Sequence, residues 1–226
     1  MRTIFGLLFY FISITFVSAQ STDGFYKKGL EFIELNQIDS AIKSFTKVVK
    51  LDEFHSNSYY NLGVCYVMKD EYSSSIPFFN KAISIDSNHF KARFNRAFAY
   101  QKTNNNIFAI FDYEYYIQKN PGDSIAYYNK ALVYLSMNEK QNAFLELNKA
   151  IELSPYYEEA LFERALIYRE QKKYKKALDD IKACLFYDID NLEYRKNEAD
   201  LSMEKPQKKR RDLPPDGRII PPGLVK

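Results

Sequence analysis

Hydrophobic and polar positions change rhythm along the chain. Ile4 to Val17 is an apolar run relieved only by Gly6, Ser13 and Thr15. From there on, small and large apolar positions return at one fixed step. Gly29, Gly63, Ala97, Ala131 and Ala165 are evenly spaced, and the same step joins Phe32, Tyr66, Tyr100, Tyr134 and Tyr168. It also joins Ala41, Ser75, Ala109, Ala143 and Ala177, then Phe45, Phe79, Tyr113, Leu147 and Ile181. A period of this length marks a supersecondary unit that buries its apolar faces only by stacking on its neighbours. In the first copy the pattern predicts a helix from Gly24 to Leu35, a turn at Asn36-Gln37 and a second helix from Asp39 to Leu51. Small residues let two helix backbones approach, and large ones fill the space between neighbours.

These residues resemble the tetratricopeptide repeat family, most fully at Tyr127 to Tyr134 followed by Ala143, Ala150 and Pro155. The resemblance implies an all-α chain, a right-handed α-solenoid of tetratricopeptide helix-turn-helix repeats. Its register places five repeats at 22–55, 56–89, 90–123, 124–157 and 158–191, a capping helix at 192–205 and a basic, Pro-rich disordered tail at 206–226. Asp190-Asn191-Leu192-Glu193 reads as the capping box of that last helix. Two departures stand out. With Ser73 as N-cap, Pro77 falls just past the first turn of a helix and predicts a local bend. Tyr116 stands where the other repeats have Val48, Ala82, Ala150 and Cys184, which predicts wider helix packing in the third repeat.

The ends change the picture more than the composition does. Arg2, the apolar run and the small residues of Val17-Ser18-Ala19 read as a signal peptide at 1–19, so the protein is expected to be exported, periplasmic or secreted. The alternative is an uncleaved membrane anchor, since no charge occurs between Arg2 and Asp23. The formal charge is +3, and residues 205–226 carry seven basic against two acidic residues, leaving the rest at −2. A near-neutral body has no footprint for nucleic acid, while the basic tail leaves membrane contact open. Cys65 and Cys184 lie three repeats apart, beyond the reach of a disulfide, so two buried free thiols are expected. His55 and His89 are separated by the same step and read as echoes of the repeat, not as a metal pair.

No metal-ligand spacing, phosphate loop or nucleophile elbow occurs, so no cofactor, no metal site and no catalytic residue is assigned and the chain is not read as an enzyme. The expected function is a protein-interaction scaffold or adaptor that holds an extended or helical polypeptide segment in the concave groove of its repeats. Tyr26, Tyr60, Phe94, Tyr128 and Phe162 form one row of that groove, and Asn61, Asn95 and Asn129 lie one position on. A carboxamide donates and accepts together, and its row resembles the asparagine ladder with which some tetratricopeptide superhelices hold a peptide main chain; these side chains are expected to face solvent in the free protein. An equal reading is that asparagine stands there for local reasons. One turn along, Leu30, Val64, Phe98, Leu132 and Leu166 are either groove or inter-repeat core. Asn61 and Lys91 match the family's chaperone-tail clamp, but Tyr26, Leu30 and Asn95 do not, which sets that clamp aside. A second reading is a membrane-associated assembly scaffold, held by the anchor or the tail, or a non-catalytic subunit of an envelope enzyme complex.

Overall fold

The structure, a computed structural model, describes residues 21–204. The signal or anchor segment and the basic tail lie outside the described residues. Helices follow one another with no strand among those described: α1 (residues 21–34), α2 (Ile38–Leu51), α3 (Ser56–Met68), α4 (Tyr72–Ile85), α5 (Phe90–Lys102), α6 (Asn106–Lys119), α7 (Ser124–Ser136), α8 (Lys140–Leu153), α9 (Glu158–Glu170), α10 (Tyr174–Tyr187) and α11 (Leu192–Glu204). They form two compact units, one ending at Ser154 and one starting at Pro155.

Each tight turn between the helices of a pair is built alike. Asn36, Asp70, Asn104, Asn138 and Lys172, one in each pair, have φ of 55°, 59°, 59°, 59° and 57°. The amide that follows this residue donates back into the last turn of the helix, as from Gln37 to Phe32 (2.7 Å) and from Asn105 to Tyr100 (2.8 Å). That bond satisfies a helix-terminal carbonyl, and the left-handed residue makes it possible. Asn and Asp tolerate this conformation; Lys172 takes it at a cost.

In the first unit α3 packs on α2 and α4, α5 on α4 and α6, and α7 on α6 and α8. The close approach expected at the glycines is extreme. A Cβ on Gly29 would stand 2.5 Å from the Phe45 ring, and one on Gly63 2.5 Å from Phe79. Phe45, Phe79, Tyr113 and Leu147, all fully buried, fill the pairs in register. In the second unit Ala165, Ala177, Leu178, Ile181 and Leu201 form the core, with α11 closing over α10.

Two local placements, the cap of one helix and the setting of one side chain, need correction. Helix α4 starts at Tyr72 with Glu71 as its cap residue, so Ser73 is inside the helix and Pro77 follows more than a full turn later. The helix nevertheless runs on to Ile85, past an exposed Pro77 that cannot donate to the Ser73 carbonyl. Tyr116, unlike its fully buried counterparts Val48, Ala82, Ala150 and Cys184, is only half-buried. Its ring lies 4.8 Å from that of Phe94, and its hydroxyl donates to Asp123 at 2.8 Å, outside the hairpin.

Both cysteines are free and buried. Burial pushes the Cys65 thiol up to about 11 and the Cys184 thiol up to about 12, so neither is a nucleophile near neutrality.

Candidate functional site

The first helix of each pair carries the candidate residues, and the period sets them side by side. Tyr26, Tyr60 and Phe94 are half-buried and pack inward as well as outward. Tyr26 meets Phe45 edge-on at 5.7 Å, Tyr60 lies 6.2 Å from Phe79, and Phe94 meets Tyr113 at 5.6 Å. Each ring also covers a residue at or near the following loop: Tyr26 lies 4.9 Å from His55, Tyr60 4.9 Å from His89 and Phe94 4.8 Å from Tyr116. These aromatics therefore pack the two helices of their own repeat together and reach its closing segment, in addition to presenting a surface.

The asparagine row is where the structure differs most from the reading of the sequence. Asn61 is buried at 7% exposure and its Nδ2 donates to the Tyr26 hydroxyl at 3.2 Å. Asn95 Nδ2 donates to the Tyr60 hydroxyl at 3.2 Å and to the Lys91 carbonyl at 3.1 Å. The row thus does not simply face solvent; a tyrosine hydroxyl from the preceding repeat takes its amide. Asn129 breaks the series. Its predecessor is Phe94, which has no hydroxyl, and among the described residues no hydrogen bond of the half-buried Asn129 side chain is found.

The other predicted positions separate in the same way. Lys91 is exposed. Val64 packs against the cluster of Phe79, Ala82, Ile83 and Ala92, so its column is core there. Phe98 lies 5.8 Å edge-on from Tyr72, with Lys102 Nζ 5.2 Å above its ring. Tyr128 and Leu132 are half-buried on α7. Phe162 belongs to the second unit, where it packs 5.1 Å from Tyr194 and against the Ile181 and Leu201 cluster.

Three features were not read from the sequence. The histidines are helix caps: His55 Nδ1 accepts from the Ser58 amide and His89 Nδ1 from the Ala92 amide, both at 3.2 Å. Arg96 and Arg164, at the same register position two repeats apart, make bidentate pairs with Asp112 (2.7 and 2.7 Å) and Asp180 (2.8 and 2.7 Å). Between them in register, Lys130 reaches Glu114 at 3.2 Å and Glu146 at 3.0 Å. The signal was a base in the middle of the first helix with an acid at the facing position of the second. Lastly, Asn197 on α11 continues the asparagine column and repeats the local bond of Asn95, donating to the Glu193 carbonyl at 2.9 Å. Glu163 interrupts the column in the second unit, its carboxyl pushed up by burial and then by Glu193.

Residues 26–90 and 125–157 match models of the tetratricopeptide repeat. The chain carries tetratricopeptide repeats. Solved structures agree on the fold. MamA is 23% identical, with 80% of this chain covering 96% of that one at a TM-score of 0.69. YrrB, described as a tetratricopeptide protein with an unusual peptide-binding site, is 16% identical, with 77% covering 90% at 0.67. PilF of Pseudomonas aeruginosa is 16% identical, with 83% covering 91% at 0.67. No curated protein matches. The all-α, tandem helix-turn-helix architecture is thus that of tetratricopeptide solenoids, a fold that serves in general as a scaffold for protein interaction.

Proposed function

We propose that this chain is an exported, non-catalytic scaffold that holds a polypeptide segment along the first-helix face of its repeats, with Asn129 as the main-chain grip. The remaining helix pairs are taken as copies of the same unit, giving five repeats and a closing helix. The observation that carries the reading is the contrast along the asparagine row. Asn61 and Asn95 spend amide hydrogens on Tyr26 and Tyr60, whereas Asn129 follows Phe94 and keeps its carboxamide for a ligand. A half-buried amide with both functions open is suited to gripping a peptide bond of any sequence. The half-buried Tyr128 and Leu132 of the same helix and Phe98 of α5 are assigned its apolar contacts, and exposed Lys91 a cation for acidic side chains of the segment.

The test is calorimetric affinity for a peptide selected by display on the immobilised full chain, with circular dichroism as a folding control. Asn129→Ala should weaken binding about fivefold, the value of one hydrogen bond, without loss of helix. Asn61→Ala should instead lower stability, because it leaves the Tyr26 hydroxyl without its donor. Unchanged affinity in Asn129→Ala, combined with loss of binding in a Lys43→Glu, Lys50→Glu variant, would move the site to the second-helix face.

A further inference from the structure

In the second unit the second-helix face is basic, whereas α6 of the first unit exposes apolar Ile107, Phe108 and Phe111. Lys172, Lys173, Lys175, Lys176 and Lys182 border a groove of about 710 Å³, with Asp179 the one acid among its lining residues. Tyr174 and Leu178 also line it. Lys175, Asp179, Lys182 and Phe186 are spaced by four, three and four, which puts them on one stripe of α10. Asp180 does not neutralise the stripe, since it is held bidentate by Arg164. Among the described residues no carboxylate pairs with Lys172, Lys175, Lys176 or Lys182.

The stripe ends in large apolar side chains turned to solvent. Phe186 is 80% exposed, Ile189 65% and Leu192 80%. Lys182 joins the two parts, because it also lines a second groove of about 310 Å³ with Leu185, Phe186, Ile189, Arg195 and the acidic Glu198. Lysines without an acidic partner, on long apolar stems and followed by a projecting aromatic and two aliphatic residues, suit an interface where apolar groups sink beneath a layer of negative charge. We propose that this α10 edge docks the second unit on an anionic bilayer surface.

An acidic protein segment is the competing occupant, and the cation chemistry argues against it. Carboxylates are gripped best by planar guanidinium forks. The guanidinium at this edge, Arg195, is already committed to the Ile189 carbonyl (2.6 Å) and Asp190 (3.2 Å). What remains is lysine, a point charge that suits a diffuse anionic plane. The sequence adds cations directly after α11, at Lys205, Lys208, Lys209, Arg210 and Arg211. The proposal is independent of the peptide reading and uses a different face.

The experiment is co-sedimentation of the full chain with vesicles of phosphatidylcholine alone and of equal parts phosphatidylcholine and phosphatidylglycerol, at low and high salt. The parent should prefer the mixed vesicles and lose that preference in salt. Each lysine near such a surface contributes on the order of fivefold in partitioning. Lys175→Gln, Lys176→Gln, Lys182→Gln should therefore weaken mixed-vesicle binding at least about tenfold and leave phosphatidylcholine binding, where an apolar N-terminal segment would act, unchanged. Phe186→Ser with Ile189→Ser should weaken binding at both salt levels. Gln keeps helix propensity at these positions, so circular dichroism should match the parent. Parent-like binding by the triple variant overturns the proposal. So does an anionic preference that vanishes only when Lys208, Lys209, Arg210 and Arg211 become Gln. Capture of polyglutamate without vesicle binding overturns it in favour of an acidic polypeptide.

Discussion

His89 ties a single titration to the folding of one helix. Its Nδ1 must be unprotonated to accept from the Ala92 amide, and its Nε2 is buried without a hydrogen-bond partner. Burial pulls its pKa below the ordinary 6.5, partly opposed by Asp86 and reinforced by Lys91. A lowered folded-state value means that the unfolded chain takes up the proton first. Stability from this cap is thus complete above about pH 6.5 and declines as the pH falls through the lowered value. Denaturant midpoints should drop as the pH falls below about 6.5, and His89→Asn, which can still cap, should remove part of that drop. A pH dependence identical in His89→Asn and parent would show that the cap does not titrate. Lys172 offers a converse change. At φ 57° it pays for a left-handed backbone that glycine adopts freely, so Lys172→Gly should raise stability by about 0.5–1 kcal/mol in chemical denaturation.

Within the helix pairs, the third repeat replaces an apolar contact with charge. Asp112 is 1% exposed and is held by two Arg96 nitrogens, with Arg93 Nη1 at 3.6 Å. Leu62 occupies the register position of Arg96 one repeat earlier and is buried. A buried pair of this kind offsets its own desolvation and gives little net stability, yet a lone survivor is costly. Asp112→Ala should therefore lower stability by about 3–5 kcal/mol, whereas Arg96→Met with Asp112→Leu should stay within about 1–2 kcal/mol of the parent. Equilibrium unfolding of the three proteins measures both. A double variant as damaged as the single one would mean that Arg93 or Asn80, which accepts from Arg96 at 2.7 Å, carries the coupling.

On the scale of the molecule, stability in stacked repeats is a sum of units and nearest-neighbour interfaces. In the second unit Leu201 of α11 is 1% exposed over Ala177, Leu178 and Ile181. Leu201→Ala should cost that unit about 2–5 kcal/mol. Hydrogen exchange should accelerate in α10 and α11 while the amides of α2 and α3 keep their protection. Uniform loss of protection would show that the chain unfolds as one cooperative block.

The sequence by itself determined the helical class, the hairpin unit and its core columns. Burying a face by stacking forces small residues at Gly29 and Gly63 and large ones at Phe45 and Phe79 to recur at one period, and recurrence needs no coordinates to be seen. The Schellman-type turns were half legible, since Asn36, Asp70, Asn104 and Asn138 advertise a left-handed residue but Lys172 does not. Only the tertiary structure decided what each polar column does. Asn61, Asn95 and Asn129 are one column in sequence, but a carboxamide's availability depends on the side chain beside it in the previous repeat. Tyrosine hydroxyls consume two of these amides, and Phe94 has no hydroxyl with which to take the third. The same reason hid the His55 and His89 caps and the buried Arg96 and Asp112 pair. A hydrogen bond or ion pair is made by two residues at contact distance, and spacing along one chain specifies only where each could begin to look for its partner.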